Sequence, residues 1–336
     1  MSSLEPNKNT SMSSSALDSF TPLREEPDGL DAFWGRTLDA LAETGPAPIA
    51  HRQPAPGVGL QFDRLEFTSL GNVTIAGYLL THDDSESRPL IVHSHGYNSQ
   101  YDVMLYWARA GCHVMGIDFR GFGRSEQVPL ARGGYVLTGG DSQQRSILRG
   151  AVADLIQAQQ VAKLLLSWRI SSQTLYGFSF GGAIAIMAAA VGDEPDLLVA
   201  GQPTFGWNRE RLRLASAGSA AEINAYCGAF PQQRSTLLET LDHFDTMHYA
   251  ARLTGPTLIG VGLDDRVVPS RSVFAIGNHV ASPQFEIRIL PVAHSDDPRE
   301  SLWATFDDEW IRLTTDGLPA DFGGPERRIR GIGTEY

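Results

Sequence analysis

Six short apolar runs between residues 89 and 290, separated by helical or loop segments, set the limits on what this chain can fold into. They are Pro89–Ser94, Cys112–Ile117, Thr174–Gly177, Leu197–Gly201, Thr257–Gly262 and Phe285–Leu290. Runs this short, with little polar alternation, are the pattern of strands buried on both faces. Between them, Ser146–Trp168 repeats apolar residues at helical spacing (Ile147, Val152, Leu155, Ile156, Leu164–Leu166), and residues 181–190, 270–278 and 298–313 read as further helices. Ahead of them, Arg64–Thr68 alternates and Val73–Leu80 follows a Gly-Asn turn, which predicts a hairpin. The fold class is therefore α/β: a mostly parallel, doubly wound sheet with an antiparallel N-terminal hairpin.

The remaining segments divide by composition. Residues 1–27, rich in Ser, Asn and Pro, read as a disordered or loosely attached tail. Leu30–Glu43 puts Leu30, Phe33, Trp34, Leu38 and Leu41 on one helical face, with Asp28 and Gly29 as a cap. Pro46, Pro48, Pro54 and Pro56 mark residues 45–59 as a surface linker. One domain is expected over 28–318, followed by a C-terminal tail over 319–336. Within it, residues 206–252 break the alternation with several short helices and no strand. Such an insertion is expected over the carboxyl ends of the strands, where ligands bind.

Charge narrows the function classes. The 336 residues carry 27 basic and 39 acidic side chains, a formal net charge of −12. An acidic chain without a basic patch is not expected to bind nucleic acid or anionic membrane surfaces. No stretch approaches the roughly 18 apolar residues of a membrane helix. The first twenty residues lack the apolar core of a secretory signal. Cys112 and Cys227 are too few for a disulfide framework, and a cytoplasmic location fits them.

The chemistry centres on Gly177-Phe178-Ser179-Phe180-Gly181-Gly182. A G-x-S-x-G sequence between a strand and a helix is a nucleophile elbow: the chain turns sharply and presents the serine, and flanking glycines let backbone approach closely. A serine hydroxyl needs a base. Among nine histidines, His294 follows the last strand of the run, in the order nucleophile, acid, histidine. The acid should follow the preceding strand, where Asp264 and Asp265 stand side by side and the residues alone do not choose between them. The backbone N–H groups of Phe180 and of Tyr97, in the loop His95-Gly96-Tyr97-Asn98, are the expected oxyanion donors. His93 and His95 form an H-x-H pair with no third ligand at suitable spacing, so no metal is expected. Gly121-Phe122-Gly123 is too short for a dinucleotide fingerprint and reads as a tight loop beside the site.

From about Asp28 to Leu313 the chain resembles carbohydrate esterase family 7, the acetyl xylan esterases and cephalosporin C deacetylases of the α/β-hydrolase fold. The likeness rests on the Phe33-Trp34 helix, the His-Gly-Tyr-Asn loop, Asp118-Phe119-Arg120-Gly121-Phe122-Gly123, the elbow, the stretch His243–Val280 and His294. The resemblance implies that Asp265, in Gly262-Leu263-Asp264-Asp265-Arg266-Val267-Val268-Pro269, is the acid, and that the oxyanion donors are Tyr97 and Phe180. It also implies a small-molecule acetyl ester as substrate, no cofactor and a homo-oligomer. Where the family usually has glutamine, this chain has Phe180 and Phe122, and Ser295 replaces a usual glutamate. A more apolar pocket follows as an expectation, lined by Tyr97, Phe122, Phe205 and Trp207 and preferring an aromatic leaving portion to acetylated xylose. The function expected is a serine hydrolase that removes a small acyl group through an acyl-enzyme. A thioesterase or other acyl-transfer enzyme of specialised metabolism is the alternative, and a non-enzymatic binding protein the third reading.

Overall fold

Each apolar run forms a strand whose successive side chains leave the sheet on opposite faces, so every run feeds two cores at once. The computed structural model describes residues 21–125, 128–294, 301–325 and 328–333. Its first half contains helix α1 (Leu30–Thr44), strands β1 (Ile49–Gln53), β2 (Leu60–Ser69), β3 (Val73–His82) and β4 (Arg88–Ser94), α2 (Leu105–Arg109), β5 (His113–Ile117), α3 (Ile147–Leu166), β6 (Ile170–Phe178) and α4 (Phe180–Val191). Then come β7 (Leu197–Gly201), α5 (Asn208–Leu214), α6 (Gly218–Ala229), α7 (Arg234–Asp242), α8 (Thr246–Ala250), β8 (Thr257–Gly262), α9 (Ser270–Gly277), β9 (Phe285–Leu290), α10 (Ser301–Thr315) and β10 (Ile329–Gly331). One sheet runs in the order β1-β2-β3-β5-β4-β6-β7-β8-β9-β10. Its first three pairings (β1 with β2, β2 with β3, β3 with β5) are antiparallel, and the strands from β5 to β10 are parallel.

Val92, Leu175, Leu198 and Ile259 face α1, α3, α4 and α9 in one core. Their neighbours Ile91, Tyr176, Val199 and Leu258 face α2 and α10 in the other, with Trp107, Phe306 and Trp310. The strand order reverses around β4, flanked by β5 and β6, and the crevice at such a switch point is where open α/β sheets bind ligands. The amphipathic segment before Trp168 is α3, opened by Ser146, whose Oγ accepts the Leu148 N–H at 3.3 Å.

Two segments differ from their sequence readings. The proline-rich stretch 45–59 contains β1, bracketed by Pro48 and Pro54. As an outer strand with four exposed residues it shows no apolar alternation, and proline is tolerated there because one edge needs no donor. The segment 319–336, read as a tail, contributes β10, parallel to β9 with Ile329 opposite Ile287, and buries Phe322 and Ile332. Three strand residues are too few to carry a periodicity. Of the N-terminal tail, residues 1–20 lie outside the described residues, and 21–27 form neither helix nor strand.

Residues 206–252 hold α5 to α8 and no strand. A buried carboxylate clasps the two ends of this insertion: Asp245 accepts N–H bonds from Trp207 at 3.0 Å, Asn208 at 2.7 Å and Met247 at 3.1 Å. Burial pushes Asp245 up to about 6 in spite of those donors. Trp34 Nε1 donates to the Tyr249 hydroxyl at 2.7 Å, tying α1 to the insertion's exit.

Candidate active site

Ser179 follows β6 and stands at the N-cap position of α4, with φ 56° and ψ −112°, a conformation that L side chains rarely adopt. Its backbone is held on both sides: its N–H donates to Gly201 O at 2.8 Å, and its carbonyl accepts from Ala183 at 3.1 Å and Thr204 at 3.2 Å. The turn is possible because a Cβ on Gly177 would lie 2.2 Å from the Gly181 carbonyl, and one on Gly181 2.8 Å from His95 O. The motif's glycines thus answer a steric demand.

His294 follows β9 and lines the same cavity as Ser179. Its Nδ1 lies 2.6 Å from Asp265 Oδ2. The carboxylate is buried, and its other oxygen accepts the Val267 and Val268 N–H groups at 2.7 and 2.9 Å. An acceptor at Nδ1 holds the proton there and leaves Nε2 free to accept another. Asp264 is exposed, and its backbone N–H donates to Val292 O at 3.1 Å. Gln202 fixes the loop of Asp265: its amide takes the Gly262 N–H at 2.5 Å and donates to Val268 O at 2.8 Å. The sequence offered no signal for this glutamine, because its partners lie 60 and 66 residues away.

The oxyanion candidates flank the nucleophile. Phe180 begins α4, where the N–H groups of the first turn have no intrahelical partner. Tyr97 lines the cavity; its hydroxyl donates to Glu222 Oε2 at 2.5 Å and accepts the Val136 N–H at 2.9 Å. Burial, with the bond to Glu222, holds that phenol far above its ordinary range. His95 Nε2 accepts the Phe119 N–H at 3.1 Å, so its proton is on Nδ1 and donates to Gly96 O at 2.7 Å. His93 meets the Tyr78 hydroxyl at 2.6 Å. Burial lowers His93 to about 3 and His95 to about 4, so both are neutral parts of the scaffold. The Asp118 loop braces this corner: Asp118 accepts the Tyr101 N–H at 2.7 Å and the Arg124 N–H at 2.9 Å, and Arg120 forks onto Asp154 at 2.7 and 2.9 Å.

The cavity measures about 870 Å³, room for a drug-sized ligand. Tyr97 belongs to its wall, but Phe122, Phe205 and Trp207 do not, which corrects the expected pocket. Phe122 stacks on Tyr135 at 4.2 Å, Phe205 lies under the Arg211 guanidinium at 5.0 Å, and Trp207 lies 5.7 Å from that of Arg271. The Phe180 side chain is fully buried, edge-on to Phe119, Phe122, Tyr135 and Phe205. Its side chain turns into the sheet's packed face while its N–H stays at the helix start, so these aromatics are core. The aromatic wall comes instead from Tyr101, Tyr176, Phe178 and Trp303, beside Asn98, Ser99, Gln100 and Ser219. Ser295 lies outside the described residues. No helix among the described residues is long and apolar enough to cross a membrane.

Known proteins share this architecture. The fold is similar to that of an acetyl xylan esterase from Paenibacillus sp. R4, with TM-score 0.80 at 22% identity over 90% of this chain and 100% of that one. The acetyl xylan esterase 1 of Thermoanaerobacterium sp. JW/SL YS485 gives the same score and identity over 90% and 99%. An esterase of Pyrococcus furiosus is more distant, with TM-score 0.55 at 18% identity over 81% of this chain and 100% of that one. In sequence, an acetyl esterase of Xylanibacter ruminicola is 21% identical over 286 residues, 81% of this chain. The alignment spans 64% of that relative's own length. The elbow, the histidine loop and the sheet that carries them all fall within or beside residues 8–304, the span matched by the acetyl xylan esterase (AXE1) family model, and the chain belongs to that family.

Proposed function

We propose that this protein is a serine esterase that removes acetyl groups from O-acetylated small molecules through an acyl-enzyme on Ser179. One observation carries the reading: Ser179, on a strained elbow, and His294, held at Nδ1 by buried Asp265, line the same cavity. His294 Nε2 takes the Ser179 proton as Oγ attacks the acetyl carbonyl, and the buried Asp265 carboxylate stabilises the imidazolium. The tetrahedral oxyanion is met by the Tyr97 and Phe180 N–H groups. Collapse expels the alcohol, protonated by His294; water then attacks the acyl-enzyme with the same histidine as base, releasing acetate. The names of the similar proteins, acetyl esterase and acetyl xylan esterase, support acetyl as the acyl group. The amide and hydroxyl groups of Asn98, Gln100, Tyr101 and Ser219 suit a polar alcohol portion better than the apolar one first expected. Cys112 and Cys227 are buried and unpaired, which fits work in a reducing cytoplasm.

The test is Ser179→Ala with p-nitrophenyl acetate as substrate. Turnover should fall by roughly 10³ to 10⁶ while the circular dichroism spectrum is unchanged. A fluorophosphonate should add to the wild-type protein and not to the variant. Half of wild-type activity in the variant would overturn the reading.

A further inference from the structure

One wall of the cavity is built by β6 and α10 and is not used by the acyl-transfer steps. Tyr176 and Phe178 leave β6 on the same face, and Trp303 and Asp307 stand one turn apart on α10, about 6 Å along its axis. The Phe178 ring meets His294 at 5.6 Å and Trp303 at 4.8 Å, so the wall is continuous from the catalytic histidine to the carboxylate. Asp307 Oδ1 accepts from Trp310 Nε1 at 2.8 Å and the Tyr176 hydroxyl at 3.4 Å, and Oδ2 accepts from the Tyr106 hydroxyl at 3.2 Å. All three donors are neutral, and Asp307 makes no ion pair among the described residues. Burial pushes it up to about 6, which leaves it ionised at neutral pH.

Among the described residues no arginine or lysine lines the cavity, although Arg124 and Arg64 lie near enough to act on the Tyr101 phenol. His93 and His95 are kept neutral by burial. Apart from histidines, the charged side chains among the described lining residues are Asp102 and Asp307, both acidic. The partly exposed rings of Tyr101 and Trp303 stand on the same cavity. A carboxylate without an ion-pair partner among the described residues, beside open aromatic faces, is the chemistry that holds an organic cation.

We propose that the wall of Asp307, Tyr101 and Trp303 binds an ammonium group, so that the preferred substrate is an acetate ester whose alcohol portion is cationic. This rests on the serine-esterase reading for its chemistry but not for its binding test. Three acetates of similar size serve as probes: that of 2-(trimethylammonio)ethanol, its uncharged carbon isostere 3,3-dimethylbutyl acetate, and 3-acetoxypropanoate. Calorimetry on Ser179→Ala measures their binding without turnover. Ser179→Ala should bind the ammonium ester about tenfold or more tightly than the isostere, and the carboxylate ester most weakly. Adding Asp307→Asn should bring the ammonium-to-isostere ratio close to one, and Asp307→Glu should restore most of it. Equal binding of the ammonium ester and its isostere, or a ratio unmoved by Asp307→Asn, would overturn the inference. Wild-type turnover of 3,3-dimethylbutyl acetate reports separately on the esterase reading: its absence, beside an intact binding preference, would sink the chemistry and leave the cation site standing.

Discussion

Two walls of one cavity are built by different means. The wall of Ser179 and His294, with buried Asp265 bonded to the histidine, sits on loops directly after parallel strands, and backbone geometry fixes it: a positive φ at Ser179, glycines with no room for a Cβ, and a carboxylate bound to two N–H groups. The wall of β6 and α10 is a side-chain network that joins Tyr176 to Asp307, 131 residues apart. Backbone-fixed positions tolerate few residue types and should fail by orders of magnitude when changed. Side-chain networks can be altered by degrees and should tune which alcohol is held.

With the nucleophile left in place, the largest effect expected from breaking the first wall is at Asp265. Asparagine could still accept the Val267 and Val268 N–H groups, but its amide would donate to His294 Nδ1 and impose the wrong tautomer. Asp265→Asn should therefore lower kcat by about 10⁴, whereas Asp264→Asn, on an exposed side chain, should stay within about threefold. Steady-state kinetics on p-nitrophenyl acetate decides, and the opposite ranking would give the acid's role to Asp264.

The same contrast explains what could be read in advance. Strand runs, the elbow and the position of His294 were legible because local backbone needs write themselves into short stretches: Gly177 and Gly181 around Ser179, and unbroken apolar residues in β7 and β8. Asp265 became legible only through the family pattern, since two adjacent carboxylates look alike until one is buried. The pocket was misread because an aromatic's neighbours are not in its own segment. Phe122 stacks on Tyr135, thirteen positions on, and is edge-on to Phe180. Trp303 and Asp307 fall within the helix expected over 298–313, but nothing in that segment says that one turn of it faces a ligand. β1 escaped because an exposed edge strand between prolines has no apolar face to show.

A core role for Phe122 makes a second, smaller prediction. Phe122→Ala removes a ring packed on Tyr135 and against His95 and should cost about 3–5 kcal/mol of stability. Because the ring is not on the cavity wall, the ratio of kcat/KM values for aryl acetate and acetylated xylo-oligosaccharide should stay as in the wild type. Denaturant unfolding gives the first quantity and competition assays the second. A shifted ratio with unchanged stability would put Phe122 back in the pocket.

The smallest effect falls where the walls meet the insertion. In the proposed mechanism Tyr97 offers its backbone N–H to the oxyanion, while its hydroxyl, between Glu222 of α6 and the Val136 N–H, anchors the loop from the side. Tyr97→Phe keeps the ring and the backbone donor but leaves the Val136 N–H and the Glu222 carboxylate to find other partners, at about 1–3 kcal/mol of stability for groups that stay buried. A loop no longer pinned should hold its N–H less well against a charge that develops only in the transition state. The expected result is a fall of about tenfold in kcat with KM little changed, the pattern of a contact that strengthens as the oxyanion forms. Glu222→Gln retains an acceptor for the phenol and should lose much less. If Tyr97→Phe matches the wild type in both kcat and unfolding midpoint, the oxyanion loop is set by its backbone alone, as the elbow is, and the insertion does no more than cover the cavity.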